Sequence, residues 1–125
     1  MIVGVGIDLI ELERIQAVYE RHRERFVSRI LTASERAYVL KYADPTQRLA
    51  GRWAAKEAAL KALGTGLAQG IGWRDVEILP DEHGKPLLTL HGKALERAAA
   101  LGARVFHVTI SHSITLAIAQ VILEC

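Results

Sequence analysis

The chain has 125 residues, of which half are hydrophobic, and its formal net charge is only +2. This size suits one core, and we expect a single domain over residues 1–125. Cys125 is the only cysteine, which excludes an intrachain disulfide and favours a reducing, cytoplasmic location. The apolar N-terminal run has no basic leader, and the apolar run from Ile114 to Leu123 is too short to span a bilayer, so no membrane association is predicted.

Patterns of apolar residues with periods of two and 3.6 predict the elements along the chain. Thr32-Ala33-Ser34-Glu35 has the form of a capping box, Asp44-Pro45 is a helix start signal, and Gly64 is a natural helix stop. The predicted elements are a strand over 2–9, helices over 11–30, 33–42 and 45–63, strands over 76–79 and 87–90, a helix over 93–101, and strands over 105–111 and 115–123. This order predicts the α+β class, with an antiparallel sheet packed against the long central helix and shorter helices.

Asp8 does not fit a purely structural account of the first strand. One side of that strand is apolar, whereas the other offers Gly4, Gly6 and then the Asp8 carboxylate. Glycine inside a strand often marks the close approach of another backbone or a ligand, and an unpaired buried carboxylate is costly. Asp8 therefore either meets a partner or a metal ion, or it caps the next helix.

Glu57 raises the same question in the long helix. It lies four residues after Trp53 and three before Leu60, so we expect its face of the helix to be buried. Lys61 either pairs with Glu57, which is the simpler interpretation, or neutralises a phosphate beside a cation that Glu57 binds. Mg²⁺ commonly takes one or two carboxylates and completes its shell with water and substrate phosphates. Asp8 and Glu57 would be enough.

Gly64-Thr65-Gly66 follows the long helix, where a plain C-cap and turn is the simpler interpretation. Exposed amides in such a loop can also bind phosphate oxygens. Because a helix C-terminus disfavours anions, a phosphate here would need the loop amides and either Lys56 or Lys61. His112 is either an ordinary turn histidine or a phosphate contact, and its spacing does not decide.

Two segments make the sequence recognisable. The run from Gly6 to Ile15, Gly-Ile-Asp-Leu-Ile-Glu-Leu-Glu-Arg-Ile, resembles the N-terminal signature of holo-acyl-carrier-protein synthases, which are 4′-phosphopantetheinyl transferases. The run from Ala50 to Gly66 resembles their central signature, with Trp53 where the family more often has Phe. Gly84-Lys85-Pro86 and Val108 to Ser113 follow in the family's order, so the resemblance covers essentially the whole chain.

The resemblance implies the 4′-phosphopantetheinyl transferase fold and an enzyme of fatty acid biosynthesis. Such an enzyme moves 4′-phosphopantetheine from coenzyme A to a serine of apo acyl carrier protein and releases adenosine 3′,5′-bisphosphate. It also implies a homotrimer with active sites at the subunit interfaces. The implied catalytic residues are Asp8, Glu57 and Lys61, of which Asp8 and Glu57 would bind one Mg²⁺ together with the coenzyme A diphosphate. The implied coenzyme A contacts are Arg52, Lys56, Lys61, Gly64, Thr65, Gly66, Pro86 and His112.

The first predicted helix carries a row of arginines. Arg14 and Arg21 are seven residues apart and Arg25 follows four later, so the three share one side of a continuous helix. This is either a solvated face or, because carrier proteins are generally acidic around their modified serine, the surface that docks the carrier.

Two other functions are compatible with parts of the sequence. A basic module that binds RNA would need neither Asp8 nor Glu57, and the sequence has no nucleic-acid-binding motif, so we predict no nucleic-acid partner. An Mg²⁺-dependent hydrolase of nucleotide diphosphates would need no basic docking face. The base that accepts the serine proton, whether Glu57, Asp8 or a metal-bound water, is left open by the sequence.

Overall fold

The computed structural model describes all 125 residues. The five strands are β1 (Ile2–Glu11), β2 (Val76–Pro80), β3 (Pro86–Leu90), β4 (Val105–His112) and β5 (Leu116–Glu124). The five helices are α1 (Leu12–His22), α2 (Glu24–Ile30), α3 (Ala33–Val39), α4 (Thr46–Leu63) and α5 (Gly92–Ala100). None of these helices combines the length and the apolar character that crossing a membrane requires.

The strands form two antiparallel sheets. β5 lies between β1 and β4 in a three-stranded sheet, and β2 pairs with β3 in a two-stranded one. The register places Asp8 opposite Ala119, so Asp8 lies inside the β1–β5 pair and not at its end. Helix α4 packs along β1 and β5, which confirms the predicted α+β class with a long central helix.

Helix α4 is the axis of the hydrophobic core. Buried hydrophobic residues from both sheets and all five helices form one cluster around it. The Asp44 carboxylate accepts a hydrogen bond from Thr46 N at its start (3.1 Å), and Gly64, with φ of +79°, ends it in the left-handed conformation. The stop at Gly64 is therefore as predicted, whereas the helix begins one residue later than predicted, with Pro45 and not Asp44 at its N-cap.

The predicted helix over 11–30 is two helices. Arg23 has φ of +42° and ψ of −115°, which ends α1, and α2 begins at the next residue. The apolar stripe continues across this break, so the hydrophobic period gives no sign of it. The predicted capping box of α3 is present: Glu35 N donates to Thr32 Oγ1 (3.2 Å), and Thr32 N donates to Glu35 Oε1 (2.9 Å).

Gly6 lets β1 lie directly against α4. A methyl carbon at this position would overlap the carbonyl oxygen of Ala58 and would lie 2.8 Å from Ala62 N. Gly4 is similarly close to the carbonyl of Ala62. The glycine face of the strand is therefore the one that α4 covers, as close backbone approach requires.

The opposite face of the three-stranded sheet is apolar and uncovered. Val5, Ile7 and Leu9 of β1 are 54%, 52% and 55% exposed. In the register they lie opposite Ile122, Gln120 and Ile118 of β5. A folded chain of this size rarely leaves such a continuous apolar surface open to water without a use for it.

Candidate active site

Asp8 and Lys61 meet where β1 crosses the C-terminal half of α4. Lys61 Nζ lies 3.2 Å from Asp8 Oδ1 and donates to the carbonyl oxygen of Ile7 at 3.0 Å. The Asp8 side chain is 16% exposed and that of Lys61 is 53% exposed. Asp8 does not cap the next helix, because the N-cap of α1 is Glu11. The carboxylate that pairs with Lys61 is thus Asp8 from another element, and not Glu57 from its own helix.

The Glu57 carboxylate lies in the electrostatic field of the same pair. Burial raises the pKa of Glu57, the negative charge of Asp8 raises it further, and Lys61 opposes both effects. Two carboxylates that repel each other are a natural donor pair for a divalent cation, whose charge would relieve the repulsion. The pair fits the Mg²⁺ that the resemblance implies, because that ion commonly takes one or two carboxylates.

The chain supplies no further protein ligands at this point. It holds no group of three or more His, Cys, Asp and Glu side chains that could bind a metal ion. An ion held by Asp8 and Glu57 would therefore complete its shell with water and with substrate oxygens.

Glu57 lies on the accessible side of α4. Between Leu49 and Leu63, every residue of the helix is buried except Trp53, Glu57 and Lys61, which recur every four residues. The expectation that this face is buried was therefore wrong. The sheets and the other helices cover the remaining sides of α4, so the helix keeps one open stripe, and this stripe leads to Gly64.

A cavity of about 410 Å³ opens at the Trp53 end of the stripe. Trp53 stacks on Trp73 with ring centroids 4.6 Å apart, and Phe26 packs on Trp53 at 5.9 Å. Trp53 precedes Glu57 by four residues, or about 6 Å along the helix axis. The cavity is lined by Val18, His22, Arg25, Phe26, Arg29, Ile30, Trp53, Leu67 and Trp73.

Lys56 is fully buried and bonded within the protein. Its Nζ lies 2.7 Å from Glu35 Oε1 and 3.0 Å from the carbonyl oxygen of Trp73, and it also donates to the carbonyl of Val76. Burial lowers the pKa of Lys56, and Glu35 opposes that shift. An ammonium held in this way would have to give up its partners to reach a phosphate, so the structure does not favour the implied phosphate contact.

The sequence does not predict Glu35 as the charge partner of Lys56. Its carboxylate accepts from Lys56, from Thr32 N and, at 2.8 Å, from Ile78 N. The capping-box pattern identified its local role, but no local pattern links it to a lysine 21 positions away. The three bonds join α3, α4 and β2. The Lys56–Glu35 pair therefore holds these elements together below the open side of α4.

Arg52 and His112 lie near the other end of α4. Arg52 is 5% exposed, donates from Nε to the carbonyl of Ile78 at 3.3 Å, and lies over the Tyr38 ring. His112 Nε2 is 3.1 Å from the carbonyl of Gln47, so Nε2 must be the donor. Burial lowers the pKa of His112, and Arg52 and Arg48 lower it further. This basic cluster is separated from Lys61 by about 14 Å along the helix.

The remaining coenzyme A contacts that the resemblance implies, the Gly64-Thr65-Gly66 loop and Pro86, lie in different parts of the structure. The Gly64-Thr65-Gly66 loop continues the open stripe beyond Lys61, and Gly66 has φ of +58°. Pro86 begins β3 opposite Pro80, in the two-stranded sheet. That sheet is joined to α4 through Arg52, which donates to the carbonyl of Ile78, and through Lys56, which donates to that of Val76.

The three predicted docking arginines are all exposed, and none takes part in an ion pair. Arg14 and Arg21 belong to α1, whereas Arg25 lies beyond the break in α2 and lines the cavity beside Phe26. Because the helix breaks at Arg23, the spacing no longer places Arg25 on one helix face with Arg14 and Arg21. Arg25 instead lies beside an apolar cavity, which the helical spacing alone does not predict.

The sequence model of the 4′-phosphopantetheinyl transferase superfamily matches residues 4–118. The chain belongs to this family. As a member, it is an enzyme, a phosphopantetheinyl transferase. It is 56% identical over 124 residues to the holo-acyl-carrier-protein synthase of Solidesulfovibrio magneticus, and 99% of each chain is covered.

Solved structures agree with this assignment to the phosphopantetheinyl transferase family. The holo-acyl-carrier-protein synthase of Neisseria meningitidis superposes with a TM-score of 0.89 at 33% identity over 100% of both chains. The enzyme of Bacillus anthracis, solved in complex with CoA (3′,5′-ADP), gives a TM-score of 0.83 at 40% identity, covering 99% of this chain and 97% of that one. The fold predicted from the resemblance is therefore confirmed.

Proposed function

We propose that this phosphopantetheinyl transferase moves 4′-phosphopantetheine from coenzyme A to a serine of an acyl carrier protein of fatty acid biosynthesis. The observation that carries the proposal is the meeting of Asp8 of β1 with Glu57 and Lys61 of α4: Lys61 Nζ lies 3.2 Å from Asp8 Oδ1, and the charge of Asp8 acts on Glu57. The complex of the Bacillus anthracis relative with CoA (3′,5′-ADP) supports the choice of donor. The names of the relatives support the choice of acceptor.

The reaction joins the serine oxygen to the β-phosphorus of coenzyme A. The bond from that phosphorus to the bridging oxygen breaks, and adenosine 3′,5′-bisphosphate leaves with the bond's electron pair. When bound, Mg²⁺ would supply Lewis-acid stabilisation of the diphosphate charge. Asp8 and Glu57 would hold the ion, and the Lys61 ammonium would add fixed positive charge beside the diphosphate.

The serine proton needs an acceptor at this site, for which Glu57, Asp8 and a metal-bound water are the candidates. Burial and the charge of Asp8 raise the pKa of Glu57 in the protein without the ion, whereas a bound divalent cation would keep both carboxylates ionised. Asp8 also orients the Lys61 ammonium, which lies 3.2 Å from its Oδ1.

The carrier would dock on the face formed by Arg14, Arg21 and Arg25. These side chains are exposed and free of acidic partners, so their charge is available to an acidic surface. The cavity beside Arg25 adds aromatic surface for an apolar side chain of the carrier. Trp53 belongs both to this cavity and to the stripe, so a carrier seated here would deliver its serine about one helical turn from Glu57.

We also propose the assembly and setting implied by the resemblance: one domain over residues 1–125, acting as a cytoplasmic homotrimer. The exposed apolar face of β1 and β5 supports self-association, because second copies would remove it from water. The separation of the Arg52 and His112 cluster from Lys61 supports sites at subunit interfaces. In such a site, the cluster of one copy would complete the site of its neighbour.

Intact-mass spectrometry tests the function directly. An apo acyl carrier protein incubated with this chain, coenzyme A and Mg²⁺ is expected to gain the mass of one phosphopantetheine, and EDTA is expected to abolish the gain. No gain with several folded carriers would contradict the proposal. Release of free phosphopantetheine in that case would instead indicate a hydrolase.

A further inference from the structure

The Gly64-Thr65-Gly66 loop lies at the electrostatically unfavourable end of α4. The last carbonyl groups of this 18-residue helix point toward the loop and carry the negative end of the helix dipole. Gly64 N donates a hydrogen bond to two of those carbonyl oxygens, Leu60 O and Lys61 O, at 3.1 Å each. An anionic diphosphate beside the loop would still meet uncompensated negative charge unless a cation lies close by.

Both lysines of α4 already have partners within the protein. Lys56 is buried against Glu35, and its ammonium is used by two carbonyl groups as well. Lys61 lies beside Asp8 and the carbonyl oxygen of Ile7, at the site where the diphosphate would react. Positive charge that compensates the end of the helix itself would therefore come from another element.

Arg97 of α5 is placed at this end of α4. Its Nε donates to the carbonyl oxygen of Leu63 at 3.0 Å, and its terminal nitrogen lies 3.7 Å from where a Cβ of Gly64 would be. The side chain is half-buried and takes part in no ion pair with a carboxylate. Arg97 therefore brings an unshared positive charge to the helix end and satisfies one of its carbonyl groups.

We propose that Arg97 is a positioning residue for coenzyme A. It holds the carbonyl end of α4 and neutralises it, so that the Gly64–Gly66 loop accepts the anionic diphosphate. This inference rests on the proposed function, because it takes the loop to be a coenzyme A contact. Arg97 acts through the helix end and the loop, and it does not touch the reacting atoms.

The charge of Arg97 is expected to affect coenzyme A more than the carrier. A charge at a helix terminus changes binding by about two- to fivefold. Arg97→Gln should therefore raise the coenzyme A KM by about this factor and leave the carrier KM unchanged. Arg97→Lys keeps the charge and should restore most of the affinity. The effect should shrink in high salt, because the guanidinium is partly exposed to water.

The test measures initial transfer rates by intact mass and coenzyme A binding by calorimetry. Arg104→Gln is the matched control, since Arg104 is exposed and loses the same charge away from α4. A rise in the coenzyme A KM for Arg97→Gln alone, reversed in Arg97→Lys, supports the proposal. Equal coenzyme A KM values for the Arg97→Gln and Arg104→Gln variants overturn it. An equal rise of the coenzyme A KM in Arg97→Gln and Arg97→Lys also overturns it, because it would indicate a structural cap without a charge effect.

The two readouts separate this inference from the proposed function. If the unmodified protein binds coenzyme A but transfers nothing, the proposed function fails, and the Kd values of the Arg97 variants still decide the role of Arg97. If it transfers phosphopantetheine and the Kd of Arg97→Gln is unchanged, only the Arg97 inference fails. If it neither binds nor transfers, both fail.

Discussion

Replacing Gly6 with alanine would insert a methyl group between β1 and α4. The new carbon would overlap the carbonyl oxygen of Ala58 and lie 2.8 Å from Ala62 N. Ordinary van der Waals contacts of a Cβ begin at 3.4 Å. The strand and the helix would therefore have to separate by at least about 0.6 Å to relieve the contact with Ala62 N, and by more to relieve the overlap with Ala58.

This separation has a stability cost and a functional cost. Because the neighbouring atoms are backbone, no side chain can rotate away, so we expect the upper end of the overpacking range, about 3 kcal/mol or more. For a domain of this size, that corresponds to a drop in Tm of roughly 10 °C. The displaced strand carries Asp8 and the helix carries Glu57, so the variant that remains folded should also bind Mg²⁺ more weakly.

Urea unfolding at fixed protein concentration measures the stability change, and the mass assay measures transfer. Gly72→Ala is the matched control: Gly72 has extended backbone with φ of −114°, and a Cβ there would lie 3.9 Å from its nearest neighbour. The control should stay within about 0.5 kcal/mol of the unmodified protein. A Gly6→Ala variant as stable and as active as Gly72→Ala would refute the close approach of β1 and α4.

Four further predictions follow from the site and its surroundings. Lys56→Met should lower the free energy of unfolding by about 3–5 kcal/mol, since it leaves Glu35 buried without its partner. A loss below about 1 kcal/mol in urea unfolding would contradict a stabilising role of the Lys56–Glu35 pair. The pKa of His112 is lowered in the free protein, and the negative charge of a phosphate bound beside it should raise that pKa. Coenzyme A binding should therefore take up a proton and become tighter as the pH falls toward 6. Calorimetry in buffers of different ionisation enthalpy measures this uptake, and identical uptake in His112→Gln would exclude the histidine. Arg21→Glu should raise the carrier KM and weaken its salt dependence without changing the coenzyme A KM, and an unchanged carrier KM would remove this arginine from the docking face. Val5→Lys should dissociate the proposed homotrimer in sedimentation experiments, whereas an unchanged mass would show that this sheet face is not the interface.

The positions of most elements could be predicted from the sequence because their signals are local. The capping box at Thr32 and Glu35, the Asp44-Pro45 start and the Gly64 stop act within a few residues, and the structure has each of them. The break at Arg23 was missed because one residue with positive φ leaves the apolar stripe of the two helices in phase.

The environment of the site depends on contacts that no local pattern records. Alternation in β1 identifies two faces but not which one is covered, and here the glycine face packs on α4 while the apolar face is exposed. The apolar neighbour Trp53 suggested that the side of α4 carrying Glu57 is buried. In the structure that side is accessible, and the sheets and other helices cover the remaining sides. Lys56 looked like a phosphate ligand until its buried partner Glu35, from a separate helix, was located.

The shared metal site is tested by the Mg²⁺ dependence of transfer by Asp8→Asn and Glu57→Gln, measured by intact mass over a range of Mg²⁺ concentrations. Removing residues that only orient metal ligands costs ten- to hundredfold, so removal of a ligand should cost at least about a hundredfold. We expect that loss in both variants, with unfolding in urea showing that each remains folded. Near-normal turnover in either folded variant would contradict the assignment of the two carboxylates to a shared metal site.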